Sequence, residues 1–224
     1  MRIALVGGTG SIGKGLAFRL SPHHHVIVGS RSEERAKECV ADYSAYLKEH
    51  GCAHQLEGCT NTEAATKAEV VVLCIPFKFV KSTIEELEGT LDGKVVISPV
   101  VPLAHDGGLA YYNPPSEGSA AQLIRKLLPD NSSLAAAFHT IAAQCLSEVE
   151  GEVQRDVVVC GESDAKEVTF SLVKDMGFRP LDAGGIDKAS LVESLTPLLI
   201  NIGILNGLKD VGTQFVSDNV SDNK

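Results

Sequence analysis

The chain has 224 residues, enough for one ordinary domain with an appendage or for two small domains, and enough to bury a core without staples. Its 44% hydrophobic and 22% charged residues are those of a soluble globular protein. A net charge of −9 disfavours nucleic acid and anionic membranes as partners, and 5% aromatics with no Trp disfavours a base-stacking platform.

In chain order, "RIALV" is expected to be a strand that begins almost at Met1, so no signal peptide is expected. The glycine-rich "GGTGSIG" follows, then a helix near 11–20. His23–His25 read as a solvated turn ahead of a second strand, "HVIVG", and a polar helix from about 32 to 49. "AHQLEGCTNTEAATKA" reads as a weak edge strand and a short helix. "AEVVVLCI" is continuously apolar, as a strand buried on both faces should be, and precedes a helix near 78–88 and the strand in "GKVVISPVVP".

The segment "SPVVPLAHDGGLAYYNPPSEG" breaks this rhythm and is expected to be a long functional or mobile loop. A helix restarts at "SAAQLIRKLL", where Ser119 and Gln122 match a capping box. Three short strand-like runs follow, "AAAFHTI", "DVVVCG" and "FRPLDAG", with a helix near 163–176 between the last two. A long apolar helix near 187–208 closes the fold, and the tail "VSDNVSDNK" is expected to fray. No uninterrupted apolar run reaches the length of a membrane span. The alternation implies an α/β fold, a Rossmann-type doubly wound, mainly parallel sheet with a small C-terminal helical part.

Gly8, Gly10 and Gly13 form a G-x-G-x-x-G pattern in its required context, strand before and helix after. The first glycine allows the tight turn, the second lets backbone approach a pyrophosphate, and the third lets helix and strand pack closely. The helix N-terminus then offers free N–H groups to phosphate. The second strand ends in "VGSRSEER": Ser30 stands where NAD-binding folds place an acid, with Arg31 beside it and Arg35 one turn on. A hydroxyl and guanidinium groups suit the 2′-phosphate of NADP, whereas Glu33 and Glu34 are the carboxylates that would serve a free ribose. Ser30 and Glu33 also form an S-x-x-E cap signature.

Other constellations are weaker. His50, Cys52, His54 and Cys59 match no standard zinc spacing, so no metal is expected. The six cysteines read as reduced thiols of a cytoplasmic protein, with Cys74 and Cys160 as packing residues. The Tyr-x-x-x-Lys pair of short-chain reductases is absent, since Tyr43 stands five residues before Lys48 and Tyr46 two.

Taken together, "RIALVGGTGSIGKGLAFRL", "VGSRSEERA", "VVVLCIP", "VVISPVVP", "GSAAQ" and "LDAGGIDKASLVESLTPLLIN" resemble the F420H2:NADP oxidoreductases over about residues 1–215. The resemblance implies a reversible hydride exchange between reduced coenzyme F420, an 8-hydroxy-5-deazaflavin, and NADP+. It implies an NADP-binding domain over 1–140 and a smaller domain over 141–224 that contributes the deazaflavin cleft and a homodimer interface. Gly8, Thr9, Gly10, Ser11 and Ile12 would contact the pyrophosphate region, and Ser30, Arg31 and Arg35 the 2′-phosphate. Ile75, Pro76 and Phe77 would border the nicotinamide ribose, and Val101 and Ala143 would line the nicotinamide pocket. His139, Ile141, Ser194 and Thr196 would stand beside the deazaflavin, with His139 as the positioning residue. Some relatives carry an Arg where this chain has Ser190. The competing functions are another NADPH-dependent reductase on the same scaffold (flavin/metal or imine) and a non-catalytic NADP(H) sensor.

Overall fold

The structure is a computed structural model and describes residues 1–149 and 155–217. β1 (Arg2–Val6) leads through the glycine loop to α1 (Ser11–Leu20) and β2 (His25–Ser30). Then come α2 (Glu33–Glu49), β3 (Gln55–Thr60), α3 (Asn61–Lys67) and β4 (Val70–Leu73). A short 3-10 turn and α4 (Val80–Glu86) reach β5 (Val95–Ser98). β6 (Leu103–Asp106) and β7 (Leu109–Tyr112) precede α5 (Ala120–Leu127), β8 (Ser133–Ala136) and α6 (Ala143–Ser147). The chain ends with β9 (Asp156–Gly161), α7 (Ser163–Asp175), β10 (Arg179–Asp182) and α8 (Ala189–Asn206).

Eight strands make one sheet in the order β10-β9-β8-β5-β4-β1-β2-β3. Neighbours run parallel except β8 and β9, which pair antiparallel through Ala136 and Cys160. β3 is the edge strand that its polar sequence implied. Because successive strand side chains point to opposite faces, the central strands feed two cores. Ile3, Leu5, Val26, Val28 and Val72 pack with Leu16, Phe18, Tyr43 and Leu172 from α1, α2 and α7. Ala4, Val6, Ile27, Val71 and Leu73 pack with Ala64, Ile84, Ile124 and Val192 from α3, α4, α5 and α8. Covering both faces explains why β1 and β4 read as unbroken apolar runs.

Four expectations need correction. The segment at 98–118 is not a plain loop: β6 and β7 form an antiparallel hairpin whose turn, Gly107–Gly108, has φ of +55° and +85°. The cap of α2 is Ser32, whose Oγ accepts the Arg35 N–H, so Ser30 is not the cap. His24 is buried rather than solvated, because Nε2 meets the Asp175 carboxylate at the end of α7 across 3.0 Å. Finally, Ile186–Asn206 is a 21-residue helical stretch long and apolar enough, by length and composition, to cross a membrane, with 22% of it buried. Asn201, Asn206 and Gly203 interrupt the apolar run without ending the helix: Asn201 turns its amide onto β7, and Gly203 is buried. The expected fraying falls mostly on 218–224, outside the described residues.

The end of the fold is held by polar links. Glu193 is fully buried on α8, and its carboxylate accepts the Ala120 and Ala121 N–H groups and the Tyr112 hydroxyl at 2.8–2.9 Å. Burial pushes its carboxyl upward, and the three donors oppose that. Ser119 caps α5 by accepting the Gln122 N–H, so only the forward half of the expected capping box forms. The Ala110 N–H and C=O both bond to the Asn201 amide at 2.8 Å, which closes the outer edge of β7. Replacing Glu193 by Ala strands two helix N–H groups and a phenol, and is expected to cost about 3 kcal/mol or more in denaturant unfolding at unchanged m-value. A loss below about 1 kcal/mol would show that the carboxylate does not hold α8 in place.

Candidate functional site

The carboxyl ends of β1, β2, β4, β5 and β8 open on one edge of the sheet, where such folds bind ligands. The glycine loop there divides its tasks. Gly7 needs φ of +71°, and a Cβ on it would stand 2.7 Å from Ile75 Cγ2. A Cβ on Gly13 would stand 2.4 Å from the Gly8 carbonyl oxygen, so α1 lies directly on the loop. Gly10 is different: its φ is −88°, and the nearest atom to its missing Cβ is 3.8 Å away. Neither backbone strain nor packing within the chain demands a glycine at 10. The free space beside it fits a phosphate brought close to the backbone. Gly10 caps α1 without a side-chain acceptor, so the first-turn N–H groups of Ser11 and Ile12 point outward with the positive end of the helix.

Two residues that sequence reading missed hold the loop. Asn61 Oδ1 accepts the Gly7 N–H across 3.0 Å, and the Tyr43 hydroxyl donates to the Gly8 carbonyl at 3.4 Å. Burial pushes that phenol up to about 12, which keeps it a donor. At the end of β2, Ser30 is nearly buried. Arg31 and Arg35 are exposed, and among the described residues neither is paired with a carboxylate. Arg31 lies over the Phe79 ring, 5.8 Å from its centroid. On a chain of charge −9, this exposed pair of guanidinium groups offers local positive charge to an anion.

Beside the loop lies a groove of about 750 Å³. One wall is Ile12, Ile75, Pro76, Phe77 and Val101; the other is Thr196, Leu199, Ile200 and Gly203 of α8 with the segment 207–211. Its floor is Phe138, His139, Ile141 and Ala143. All the residues expected around the nicotinamide are therefore together, and so are His139, Ile141 and Thr196. Ser194 is not on the groove wall; its hydroxyl donates to the Leu191 carbonyl of its own helix. Ser190 lies in the first turn of α8 and off the groove as well, and Lys188 pairs with Asp187 at 2.7 Å.

His139 is the singular group of the groove. It is 6% exposed, and beyond an approach to the Val100 backbone neither ring nitrogen meets a hydrogen-bond partner. Burial pushes its pKa down to about 4, opposed only in part by the Val100 backbone, so the ring is neutral at pH 7. Phe138 reaches it through φ of +71°, a strained value for an aromatic residue. Thr196 fixes the same turn by donating to the His139 carbonyl at 2.8 Å. A buried ring without a well-formed hydrogen bond is costly unless a ligand supplies the partner. Cys74 and Cys160 are buried with thiols pushed up to about 12, as packing residues should be. Among the described residues, His, Cys, Asp and Glu form no group of three that could hold a metal.

Residues 2–102 match the family model described as NADP oxidoreductase coenzyme F420-dependent. The chain is 35% identical over 222 residues to the F420-dependent NADP reductase of Methanocaldococcus jannaschii, covering 97% of this chain and 99% of that one. It is 34% identical over 223 residues to the F420-dependent NADP reductase of Methanothermobacter marburgensis, again covering 97% and 99%. The crystal structure of a candidate F420-dependent NADP-reductase from Arthrobacter sp. FB24 superposes with a TM-score of 0.79 at 24% identity, over 97% of this chain and all of that one, and shares its fold.

The two glycine roles can be separated by experiment. Gly10→Val is expected to leave the melting temperature close to wild type and to weaken dinucleotide binding by tenfold or more, as titrated by nucleotide fluorescence, on the order of 1.4 kcal/mol. Gly13→Ala is expected to lower the melting temperature before any binding is tested. Equal loss of stability in both variants would remove the argument that the space at Gly10 is reserved for a ligand.

Proposed function

The chain belongs to the coenzyme F420-dependent NADP oxidoreductase family and is an enzyme that exchanges a hydride between F420 and NADP, and we propose that the exchange takes place in the groove between the glycine loop and α8. The observation that carries this reading is the groove itself: apolar, of about 750 Å³, open beside a dinucleotide loop, and floored by a neutral histidine without a well-formed hydrogen bond. When bound, the nicotinamide and the deazaflavin supply the hydride chemistry themselves, through C4 of one and C5 of the other. The chain's work is to bind, orient and dry the two rings.

Gly8, Thr9, Gly10, Ser11 and Ile12 take the pyrophosphate on the end of α1. Ser30, Arg31 and Arg35 take the 2′-phosphate. Ile75, Pro76 and Phe77 press on the nicotinamide ribose, with Val101 and Ala143 against the ring. Thr196 and Ile141 face the deazaflavin, and we leave Ser194 without a ring contact. His139, neutral, offers one nitrogen as donor and one as acceptor to the polar edge of a ring lying on the groove floor, without placing a charge beside it. No side chain has to act as nucleophile, so the absence of a nucleophile–base pair from the groove lining fits the reaction.

The same helix supports a homodimer. Leu191, Leu195, Leu198, Ile202 and Leu205 recur along α8 at alternating spacings of four and three, the seam pattern of paired helices. Leu191, Leu198 and Leu205 are 66%, 53% and 69% exposed. A second copy related by a twofold axis would cover this stripe. Sedimentation should give twice the chain mass, and Leu198→Glu should give the single mass; a wild-type monomer contradicts it. We place the enzyme in the cytoplasm, where both coenzymes would be met.

The activity is tested by mixing the protein with NADPH and oxidised F420 and following the deazaflavin's visible absorbance, with NADH as the control. Bleaching with NADPH and little with NADH is expected. Arg31→Ala should raise the dissociation constant for NADPH by on the order of tenfold and leave NADH unchanged. Equal use of NADH by the wild type would overturn the assignment of Ser30, Arg31 and Arg35, and no bleaching with either nucleotide would overturn the reaction.

A further inference from the structure

Asn61 has no part in the reaction described above, yet it is one of the few polar side chains buried at the nucleotide edge, at 4% exposure. It opens α3, directly after Thr60, and Thr60 lies level with Ser30 across the β2–β3 pair. Its Oδ1 accepts the Gly7 N–H at 3.0 Å and lies 2.9 Å from where a Cβ of Gly29 would stand. Gly29 in turn accepts the Gly8 N–H at 2.9 Å. One side chain thus joins the start of the glycine loop to the end of β2, the two parts that would hold the pyrophosphate and the 2′-phosphate.

The residue type is informative. Asn61 is buried beside Gly29 and level with the end of β2, where a carboxylate would be desolvated at a cost and would also repel an anion held at Ser30. An amide supplies the same acceptor to Gly7 without that charge. We propose that Asn61 is a positioning and specificity residue: its Oδ1 sets the glycine loop, and its neutrality keeps the neighbouring 2′-phosphate pocket electropositive. This rests on the reading of Ser30, Arg31 and Arg35 as that pocket.

The test uses the full chain and the variants Asn61→Asp and Asn61→Ala, with melting temperatures and dissociation constants for NADPH and NADH. Asn61→Asp keeps the Gly7 bond, so it is expected to fold and to lose NADPH affinity by on the order of tenfold while NADH changes less than about twofold. Asn61→Ala only loosens the loop, so it is expected to weaken both nucleotides by a similar factor. The NADPH-to-NADH ratio in Asn61→Asp reads whether this position faces the 2′-phosphate, because a charge remote from it would act on both nucleotides alike. The proposal is overturned if Asn61→Asp weakens both nucleotides equally or neither, if it fails to fold, or if Asn61→Ala leaves both affinities at wild type. A wild-type protein that does not prefer NADPH would instead remove the phosphate pocket itself, and the proposal with it.

Discussion

The functional edge of this protein depends on one contact that leaves no room for a carbon atom. Gly13 lies so tightly on Gly8 that a Cβ would come within 2.4 Å of the Gly8 carbonyl oxygen. That contact sets α1 against the end of β1 and aims its free N–H groups across the sheet edge. The loop cannot relax away, because Gly8 is tied to both Leu5 and Gly29 at 2.9 Å and Gly7 is tied to Asn61. Beside this rigid frame, Gly10 alone has empty space. The packing glycines fix the frame, and the unpacked one leaves open space beside the backbone.

The opposite wall of the groove is built differently. α8 covers little of its own surface against the rest of the chain, so apolar packing alone would hold it loosely. Side-chain-to-backbone links place it instead: Glu193 on α5, Asn201 on β7, and Thr196 on the His139 turn. The hairpin belongs to this arrangement, since Tyr112 also donates to Glu193. The result is an apolar slot with a neutral buried histidine as its floor. Such a slot, once filled by two rings, would exclude water from a hydride transfer between them.

The N-terminal half of this account was legible in the sequence because its signals are local. A strand, a glycine loop and a helix follow one another within the first 20 residues, and the two flanking strands are unbroken apolar runs. Ser30 and Arg31 were found by their position at a strand end, although the cap function passed to Ser32, two residues on, where the helix begins. What the sequence hid was long-range. Asn61 meets Gly7 across 54 positions and Glu193 meets Ala120 across 73. The hairpin was obscured because its strands, LAHD and LAYY, are only four residues long on either side of a Gly-Gly turn. The turn of Ser194 away from the groove follows from helical geometry: two residues from Thr196, it lies on nearly the opposite face. His24 was hidden because its partner, Asp175, arrives from the far end of the chain.

The most direct measurement is a crystal structure of the protein with NADP+ and F420 bound together. The account predicts both rings in the groove between Val101 and Thr196, with nicotinamide C4 and deazaflavin C5 within about 3.5 Å of each other. It predicts a His139 nitrogen within hydrogen-bond distance of a ring atom. A deazaflavin bound elsewhere, or rings whose reacting carbons do not approach, would contradict it.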